Sequence, residues 1–400
     1  MNSSKNEHNR RNEIILSVIL LVVLFGKYSE IFAGRLRLDY LVVITTSVIM
    51  IIVGKIKFEI KEVILICILM TLLFIPTFDQ GDVFSIRSLK YIFYFAYGIS
   101  IVEILHSYKF ILEDHRFKAT VYKVLKIFCF INVIIALWEI KTGNHFKYGE
   151  TIRYTETWSN IPAGLFFNFN DYAIFIFMLI PLFVHYKDKK LSSFVIIISS
   201  FILLFVIGSR TAIICTFALF FIDVQFNRKN KKFSVKKMLV YLLLVLCAIT
   251  IIYNLTNSSN TYMVIEKIKQ SKDFGGRGKI LTEYLYILKD NLWGKGILSY
   301  NLWESGDLTN PHNMLIELML YFGVFGGIFV YIKFIIITVK SLRKSLKTKD
   351  AFFLPISLSF LFLICVAHIG VSSVFSGFSV FWVFLGLIKA NLVNSKEEVI

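Results

Sequence analysis

The sequence predicts an all-α polytopic membrane protein with about 12 transmembrane helices and one large outer loop that contains short amphipathic helices. Its composition is 56% hydrophobic and only 18% charged, and its mean hydropathy is +0.68. Apolar segments of about 20 residues, the length that crosses the hydrocarbon core of a bilayer, recur along nearly the whole chain. Basic residues concentrate in alternate connections between these segments, as in membrane proteins with a fixed orientation.

The predicted spans follow one another with mostly short connections. They cover residues 13–33, 38–54, 62–78, 87–106, 121–140, 163–186, 191–207, 209–226, 236–253, 311–337, 351–369 and 372–392. The first has an apolar core, from Ile14 to Phe25, that follows Lys5, Arg10 and Arg11 as in a signal sequence. Because no small-residue cleavage site comes after it, we expect this segment to remain as an uncleaved anchor.

The net charge of +17 is explained by this topology. With the N-terminus in the cytoplasm, the cytoplasmic connections carry more than half of the 44 lysines and arginines, including the run from Arg228 to Lys237. The short outer connections carry far fewer, which is the positive-inside asymmetry and places both termini in the cytoplasm. We therefore expect a multi-pass protein of the cytoplasmic membrane and no nucleic-acid partner.

Two outer segments are long, and residues 1–400 are otherwise interpreted as a single integral membrane domain. The outer loops span residues 141–162 and 254–310, and the second is predicted to be a small extracytoplasmic subdomain. Within it, "TYMVIEKIKQSKD" and "KILTEYLYILKDN" have helical periodicity, and Tyr284 and Leu288 fall on one apolar stripe. Between these predicted helices, "FGGRG" places Arg277 in a glycine cluster.

The five cysteines fall within apolar spans, and none has the CxxC spacing of a redox or metal motif. No group of cysteine and histidine residues has a spacing that suits a metal ion. The sequence therefore predicts neither a metal site nor a cofactor.

Polar residues in and beside the predicted spans gather toward the outer face. They are Glu139, Asn168, Asn170, Asp171, Arg210, His312, Asn313 and Glu317. Charge inside a membrane is costly and often marks function, so this one-sided set predicts a site at the outer face. The group Asn168, Asn170 and Asp171, in "FFNFNDYAIF", is explained either by capping at the start of the sixth span or by a role in positioning a sugar or a helix.

The segment "TNPHNMLIELMLYFGVFGG" carries the most informative of these residues. Asn310 suits the N-cap and Pro311 the first helical position, which would place His312 in the first helical turn. The helix dipole there disfavours an imidazolium, so the neutral ring can accept a proton. The alternative is that His312 and Asn313 only cap the helix at the wet interface. Glu317, five residues along, does not share a helix face with His312.

Two arginines on the predicted outer side add to this pattern. Arg210, in "FVIGSRTAII", occupies a tight turn between two apolar spans, and Arg277 lies in the glycine cluster. Each arginine alone is equally well explained as an interfacial anchor or an exposed loop residue. Together with a neutral base at a helix N-terminus, two guanidinium groups form a sensible diphosphate site, because they bind phosphate oxygens in bidentate fashion. Further along, Gly323 and Gly327 have the spacing of close helix packing.

At this point the chain resembles the O-antigen ligase and repeat-unit polymerase superfamily of bacterial envelope enzymes. The matching pieces, in order, are "NFNDYA", "GSRTA", "GGRGKILTEYLYILKDNLWGKG" and "PHNMLIELMLYFGVFGG". They lie within residues 163–330, and the remaining spans agree by topology.

The resemblance implies a metal-independent, inverting glycosyl transfer on the outer face of the membrane. The donor is then an oligosaccharide on undecaprenyl diphosphate, and the lipid diphosphate is the leaving group. Carried over to this chain, the resemblance makes His312 the base that takes the proton from the acceptor hydroxyl. It makes Arg210 and Arg277 the residues that hold the diphosphate and stabilise its developing charge.

Other residues have supporting roles in this interpretation. The resemblance makes Asn313, Glu317 and Asp171 orienting residues, and Arg153, in the first outer loop, a contact for the sugar chain or the phosphate. Membrane lipid surrounds the site, and a chain-length regulator is a further expected partner.

The alternatives are another transferase and a transporter. The favoured activity is a polymerase that joins repeat units of a capsule, exopolysaccharide or O-antigen, and the first alternative is a ligase that transfers the glycan to another acceptor. A lipid-linked oligosaccharide flippase would also have about a dozen spans, but it would line a central cavity with charge at mid-membrane depth.

Overall fold

A computed structural model describes residues 2–26, 30–31, 36–79, 90–145, 161–166, 168–186, 191–227, 277–296, 311–370 and 378–393. The first α-helices are α1 (Asn2–Phe25), α2 (Leu38–Ile52), α3 (Ile60–Asp79), α4 (Lys90–Ile111), α5 (Asp114–Thr142) and α6 (Phe169–His185). They are followed by α7 (Leu191–Ile207), α8 (Arg210–Asn227), α9 (Arg277–Asp290), α10 (Met314–Thr348), α11 (Phe353–Cys365) and α12 (Ser379–Leu392). A 3₁₀ turn covers Ala367–Gly370, and two-residue strands, β1 (Glu30–Ile31) and β2 (Leu36–Arg37), pair antiparallel.

The helical prediction is confirmed for the part of the chain that the structure describes, apart from the small β1–β2 pair. Every predicted span there overlaps a helix, whereas the span predicted at residues 236–253 lies outside the described residues. The helices α5 and α10 are long and apolar enough to cross a membrane, and α2, α6, α11 and α12 are shorter apolar helices. The boundary of the first span was wrong. Because no glycine or proline separates Asn2 from Ile14, the helix includes the polar residues before the apolar core.

The chain forms two compact units. Unit 1 comprises residues 1–125, 279–357 and 373–400, and unit 2 comprises residues 126–278 and 358–372. The sequence predicts that residues 1–400 form a single membrane domain. Because this concerns the arrangement of the two units, it stays a prediction.

Unit 1 has a charged end, defined here by ion pairs and hydrogen bonds that join helix termini. They are Arg116–Glu13 (2.9 Å), Lys118–Asp350 (2.6 Å), Lys389–Glu62 (2.8 Å), Lys389–Glu103 (2.7 Å) and the bond that the Lys344 ammonium donates to the Val393 carbonyl (2.5 Å). At this end α3, α5 and α11 begin, and α4, α10 and α12 end. The helices of unit 1 therefore alternate in direction as the predicted spans require.

Close packing in unit 1 depends on small residues. Gly98 of α4 lies against the indole of Trp382 in α12, and a Cβ atom at this position would come within 2.3 Å of the ring. Nearer the charged end, the amide of Asn391 donates to the hydroxyl oxygens of Ser341 (2.7 Å) and Ser345 (2.8 Å), both on α10. These buried bonds join α10 to α12 without an unsatisfied polar group between them.

Unit 2 is built around α6, whose residues from Ala173 to Leu182 are completely buried. The helices α7 and α8 and the 3₁₀ turn pack against it. A helix that is apolar all round belongs in the core of a bundle. The predicted site residues of unit 2 therefore lie at the ends of α6 and its neighbours.

Candidate functional site

The entry to α10 differs from the sequence prediction in one respect. Asn313, not Asn310, is the N-cap, and its side-chain oxygen accepts hydrogen bonds from the backbone N–H groups of Leu315 (3.0 Å) and Ile316 (3.2 Å). The predicted cap was wrong because an asparagine at either position suits a helix start, and the second one satisfies two of the free N–H groups of the first turn. Asn310 itself lies outside the described residues.

His312 therefore lies just before the helix rather than inside its first turn. Its backbone has a φ of 48°, in the left-handed region that few residues other than glycine adopt. The side chain is half-buried, between the buried residues Pro311 and Met314. We call residues 311–313, which precede α10, the mouth of this helix. A titratable ring in an uncommon backbone conformation at such a position is typical of a functional residue, since these conformations persist where the surroundings enforce them.

Glu317 is buried in the first turn of α10, with 2% of its surface exposed. The hydroxyl of Tyr321, one turn later, donates to its Oε1 atom over 3.3 Å. The backbone N–H of Glu317 donates to the carbonyl of Asn313, which continues the helix from its cap (2.9 Å). Glu317 thus lies inside the helix packing, and its carboxylate faces Tyr321 on the same helix.

The second predicted amphipathic helix is present as α9, and it packs against the first part of α10, whereas the first, at residues 261–273, lies outside the described residues. Tyr284 and Leu288 are buried in one apolar cluster with Ile316, Met319 and Leu320. This confirms the apolar stripe predicted from the sequence. Because the stripe is shared, the two helices lie side by side in unit 1.

The loop after α9 docks on a break in α10. Gly323 has φ 74° and ψ 167°, which interrupts the helix, and the freed N–H of Val324 donates to the carbonyl of Leu292 (2.9 Å). In return, the N–H of Lys295 donates to the carbonyl of Leu320 (2.7 Å). A Cβ atom on Gly294 would lie 2.5 Å from that carbonyl oxygen, and one on Gly323 would lie 2.9 Å from the Leu292 oxygen.

This glycine lock, formed by residues 291–295 and 320–324, revises the role predicted for Gly323. The close packing predicted for Gly323 and Gly327 is present at Gly327, where a Cβ atom would lie 2.5 Å from the backbone nitrogen of Met319. At Gly323 the structure instead shows two backbones bonded to each other at a helix break. Both α9 and the first part of α10 run toward the lock, so their N-terminal ends lie on the same side of it. Arg277 is the first residue of α9, and His312 precedes α10.

In unit 2, the entry to α6 is also capped by an asparagine. The side-chain oxygen of Asn168 accepts a hydrogen bond from the N–H of Asn170 over 2.8 Å. The capping interpretation of this segment is confirmed for Asn168. Asp171, in the first turn, is 1% exposed, so its carboxylate lies inside the unit rather than on its surface.

The turn before α6 is fixed by two buried side chains of α5. One carboxylate oxygen of Glu139 accepts from the N–H groups of Ala163 and Gly164, both over 2.8 Å. The side-chain oxygen of Asn132 accepts from the N–H of Leu165 over 2.9 Å. Gly164 has a φ of 57°, so the turn uses a conformation that glycine adopts without strain.

Arg210 begins α8, directly after a tight turn in which Gly208 has a φ of 67°. The helices α6 and α7 have equal length and pack against each other, with a short connection between them. They are therefore antiparallel, and the turn at Gly208 lies at the same end of unit 2 as the entry to α6.

The structure thus places the predicted residues in two groups. Unit 1 contains His312 and Asn313 at the mouth of α10 and Glu317 in its first turn, and unit 2 contains Asp171 and the start of α8 at Arg210. For Arg210 and Arg277, the structure describes the helix positions alone. Arg153 lies outside the described residues.

Sequence reasoning missed several polar partners. It singled out Glu139 without its backbone partners, and it overlooked Asn132, a lone asparagine in an apolar helix. It also overlooked the charged end of unit 1, where Lys389 joins Glu62 and Glu103. Charges inside predicted spans were the available signal, because a charge near a span end has to find a partner in another helix.

The apolar helices and the family comparison together define this chain as a helical membrane protein. Residues 194–331 match the sequence model of a protein family described as O-antigen ligase. This match confirms the predicted resemblance to the O-antigen ligase and polymerase superfamily, and it includes Arg210, Arg277 and the whole mouth of α10. Asp171 and Arg153 lie outside the matched region. No curated protein matches the chain.

Proposed function

We propose that the protein polymerises undecaprenyl-diphosphate-linked oligosaccharide repeat units on the outer face of the cytoplasmic membrane. The product would be a capsular polysaccharide, an exopolysaccharide or an O-antigen. The single observation that carries the proposal is the half-buried His312, held with a φ of 48° at the mouth of α10, inside the region that matches the family.

His312 is the general base in this proposal. Its neutral ring takes the proton from the acceptor hydroxyl while that oxygen attacks the anomeric carbon of the donor. The bond between the anomeric carbon and the diphosphate oxygen breaks, and attack from the opposite face inverts the configuration. Arg210 and Arg277 bind the departing diphosphate and stabilise the negative charge that develops on it, and no metal ion is required.

The remaining residues position these groups. Asn313 holds the mouth of α10 through its two cap bonds, and this fixes the backbone on which His312 stands. Glu317 and Asp171 contribute buried negative charge near the two helix entries. Arg153 is proposed to contact the sugar chain or the phosphate.

The orientation follows from the charged end of unit 1. The basic residues Lys109, Arg116, Lys118, Lys344 and Lys389 take part in ion pairs or hydrogen bonds at this end. Under the positive-inside rule this end faces the cytoplasm, together with the N-terminal part of α1. The part of α10 after the break at Gly323 runs toward the charged end, so the break and the glycine lock lie away from that end. In this proposal His312 lies with them on the outer side, where lipid-linked repeat units are polymerised.

The proposal is tested with purified protein in nanodiscs and a lipid-diphosphate oligosaccharide, in the presence of EDTA. A ladder of polymer products is expected from the wild type. Arg210→Lys and Arg277→Lys should each lower the rate strongly, because lysine keeps the charge but loses bidentate phosphate binding. Lys295→Arg, a basic substitution in the loop after α9, is the matched control and should retain the ladder.

The same assay separates the alternatives. Transfer of the glycan to an added acceptor lipid without a ladder would make the protein a ligase. Movement of the donor across the bilayer without either product would make it a flippase. In both cases the polymerase proposal would be rejected.

A further inference from the structure

A cavity of about 560 Å³ lies inside unit 1, between α3, α4, α10 and α12. Its volume is within the range of roughly 300–1,000 Å³ that is typical of small-ligand sites. The inner end is aromatic: the ring of Phe95 lies 5.0 Å from that of Phe322 and 6.3 Å from that of Trp382. Aliphatic residues such as Leu65 and Ile99 line its length, so the cavity accepts an apolar chain.

The other end of the cavity is charged. The ammonium of Lys389 lies 2.8 Å from Glu62 and 2.7 Å from Glu103, so these lining carboxylates are already paired. On the rim, Lys61 pairs with Glu59. The cavity is therefore amphiphilic, apolar along its length and polar at the charged end of unit 1.

Lys333 is the lining cation without a carboxylate partner among the described residues. Its ammonium lies 5.2 Å over the ring of Phe329. The other lining lysines, Lys61 and Lys389, are both in ion pairs. An ammonium that lines an apolar cavity is complementary to a molecule with one negative head group and an apolar tail.

The helix α3 contacts its neighbours near its start, at Glu62, and in its second half, at Leu72, and the cavity lies between these two contacts. Glu62 pairs with Lys389 at the first contact, and Leu72 meets the backbone of Gly326 at the second, where a glycine Cβ would be 2.9 Å from its side chain. Protein interiors are otherwise close-packed, so a cavity of this size can hold a ligand. An acyl chain from the surrounding bilayer is the available apolar one.

We propose that this cavity binds a membrane glycerophospholipid, with one acyl chain between α3, α4 and α12 and its phosphate against Lys333. The polar rim lies at the charged end, which is the opposite end of α10 from His312. Lys333 lies ten residues beyond the helix break at Gly323, and the residues that line the cavity include none of His312, Asn313 and Glu317. The cavity is therefore distinct from the site proposed for the glycan donor, whose diphosphate would lie beside His312.

The experiment measures lipid binding without any glycan donor, so its outcome is independent of the polymerase proposal. Delipidated protein in detergent is titrated with phosphatidylglycerol, and bound lipid is counted by native mass spectrometry. We expect one tightly bound lipid on the wild type and at least tenfold weaker binding to Lys333→Gln. Lys340→Gln, an exposed lysine on the same helix that does not line the cavity, should bind like the wild type.

A second pair of variants tests the cavity itself. Ile99→Trp fills the cavity and should abolish the tight site, whereas Phe93→Trp, an exposed position on the same helix, should not. Thermal unfolding of each variant without lipid confirms that it is folded, and Leu65→Trp provides a second cavity-filling variant.

Three outcomes would overturn the proposal. One is equal lipid binding by Lys333→Gln and Lys340→Gln, and another is equally tight binding of diacylglycerol, which lacks the phosphate. The third is occupation of the site by undecaprenyl phosphate but not by phosphatidylglycerol, which would make it a site for the polyprenyl carrier.

Discussion

The entries to α6 and α10 have the same local chemistry and different surroundings. Each begins with an asparagine cap, Asn168 or Asn313, and each has a buried acid in its first turn, Asp171 or Glu317. The residues before α6 are fixed by buried side chains of α5. Before α10 the chain instead has a half-buried histidine with a positive φ.

In the proposed function, this difference separates an entry held by the protein's own side chains from the entry that carries the general base. At α6, Glu139 and Asn132 accept hydrogen bonds from the turn, so the backbone N–H groups of Ala163, Gly164 and Leu165 have acceptors within the protein. At α10, the first helical segment is held by the backbone bonds of the glycine lock, on the side away from His312. The lock therefore supports the first segment of α10 without contacts to His312 from its own backbone bonds.

The largest effect on stability is expected from Glu139→Ala, which removes the carboxylate that accepts hydrogen bonds from the turn before α6. It leaves two buried N–H groups without an acceptor, and each such group costs about 1–3 kcal/mol, so we expect a loss of about 2–4 kcal/mol. Thermal unfolding in detergent measures it. Glu139→Gln keeps an acceptor oxygen and should lose less, and equal losses for both variants would contradict this account of the turn.

Gly323→Ala disrupts the glycine lock that supports α10 and leaves the residues before Met314 unchanged. Alanine is strained at φ 74° and ψ 167°, and its Cβ would also meet the carbonyl of Leu292 at 2.9 Å. Backbone strain alone predicts a loss of about 1–3 kcal/mol. Gly326→Ala is the control on the same helix, because the nearest atom to its Cβ is the end of the Leu72 side chain. If both variants unfold at the same temperature, the lock does not stabilise α10.

Substituting the two N-caps in turn compares the entries to α6 and α10 under the same change. Asn168→Ala and Asn313→Ala should each cost about 1 kcal/mol of stability, the usual value of an N-cap. We expect Asn313→Ala also to lower glycosyl transfer by more than Asn168→Ala, because it releases the backbone beside His312. Asn313→Asp keeps a cap oxygen and should recover both properties. Equal activity losses at the two caps would remove the functional distinction between the entries.

The smallest effect is a pH dependence at a third helix entry. Burial raises the pKa of Asp350, but hydrogen bonds from Lys118 and from the backbone N–H of Phe353 outweigh it and hold the pKa below the ordinary 3.8. A carboxyl whose pKa is lower in the folded state stabilises the protein above that ordinary value, and this contribution is lost as the pH falls through the folded pKa.

The unfolding temperature of the wild type should therefore fall more steeply below pH 4 than that of Asp350→Asn, which retains a cap oxygen for α11. Parallel curves for the two proteins would show that Asp350 contributes no pH dependence.

Much of this arrangement follows from the sequence. The helices, the apolar stripe through Tyr284 and Leu288, and the cap at Asn168 are encoded by local patterns, which is why they were predicted. The glycine lock and the contacts of Glu139 join segments that are far apart in the chain, and residue spacing alone does not encode them. The choice between Asn310 and Asn313 as the cap of α10 depended on the backbone at His312, which no local propensity sets.

The most direct test of the central claim, that His312 is the base, replaces it with glycine. His312→Gly keeps the left-handed backbone without strain and leaves a space at the mouth of α10, so the fold should be unchanged. We predict that the rate of glycosyl transfer falls by about 10²–10⁴-fold, the usual contribution of a general base. Added imidazole should restore part of the rate in this variant, and none in His312→Asn, where the space is filled. Activity of His312→Gly at the wild-type level, with stability intact, would contradict the account.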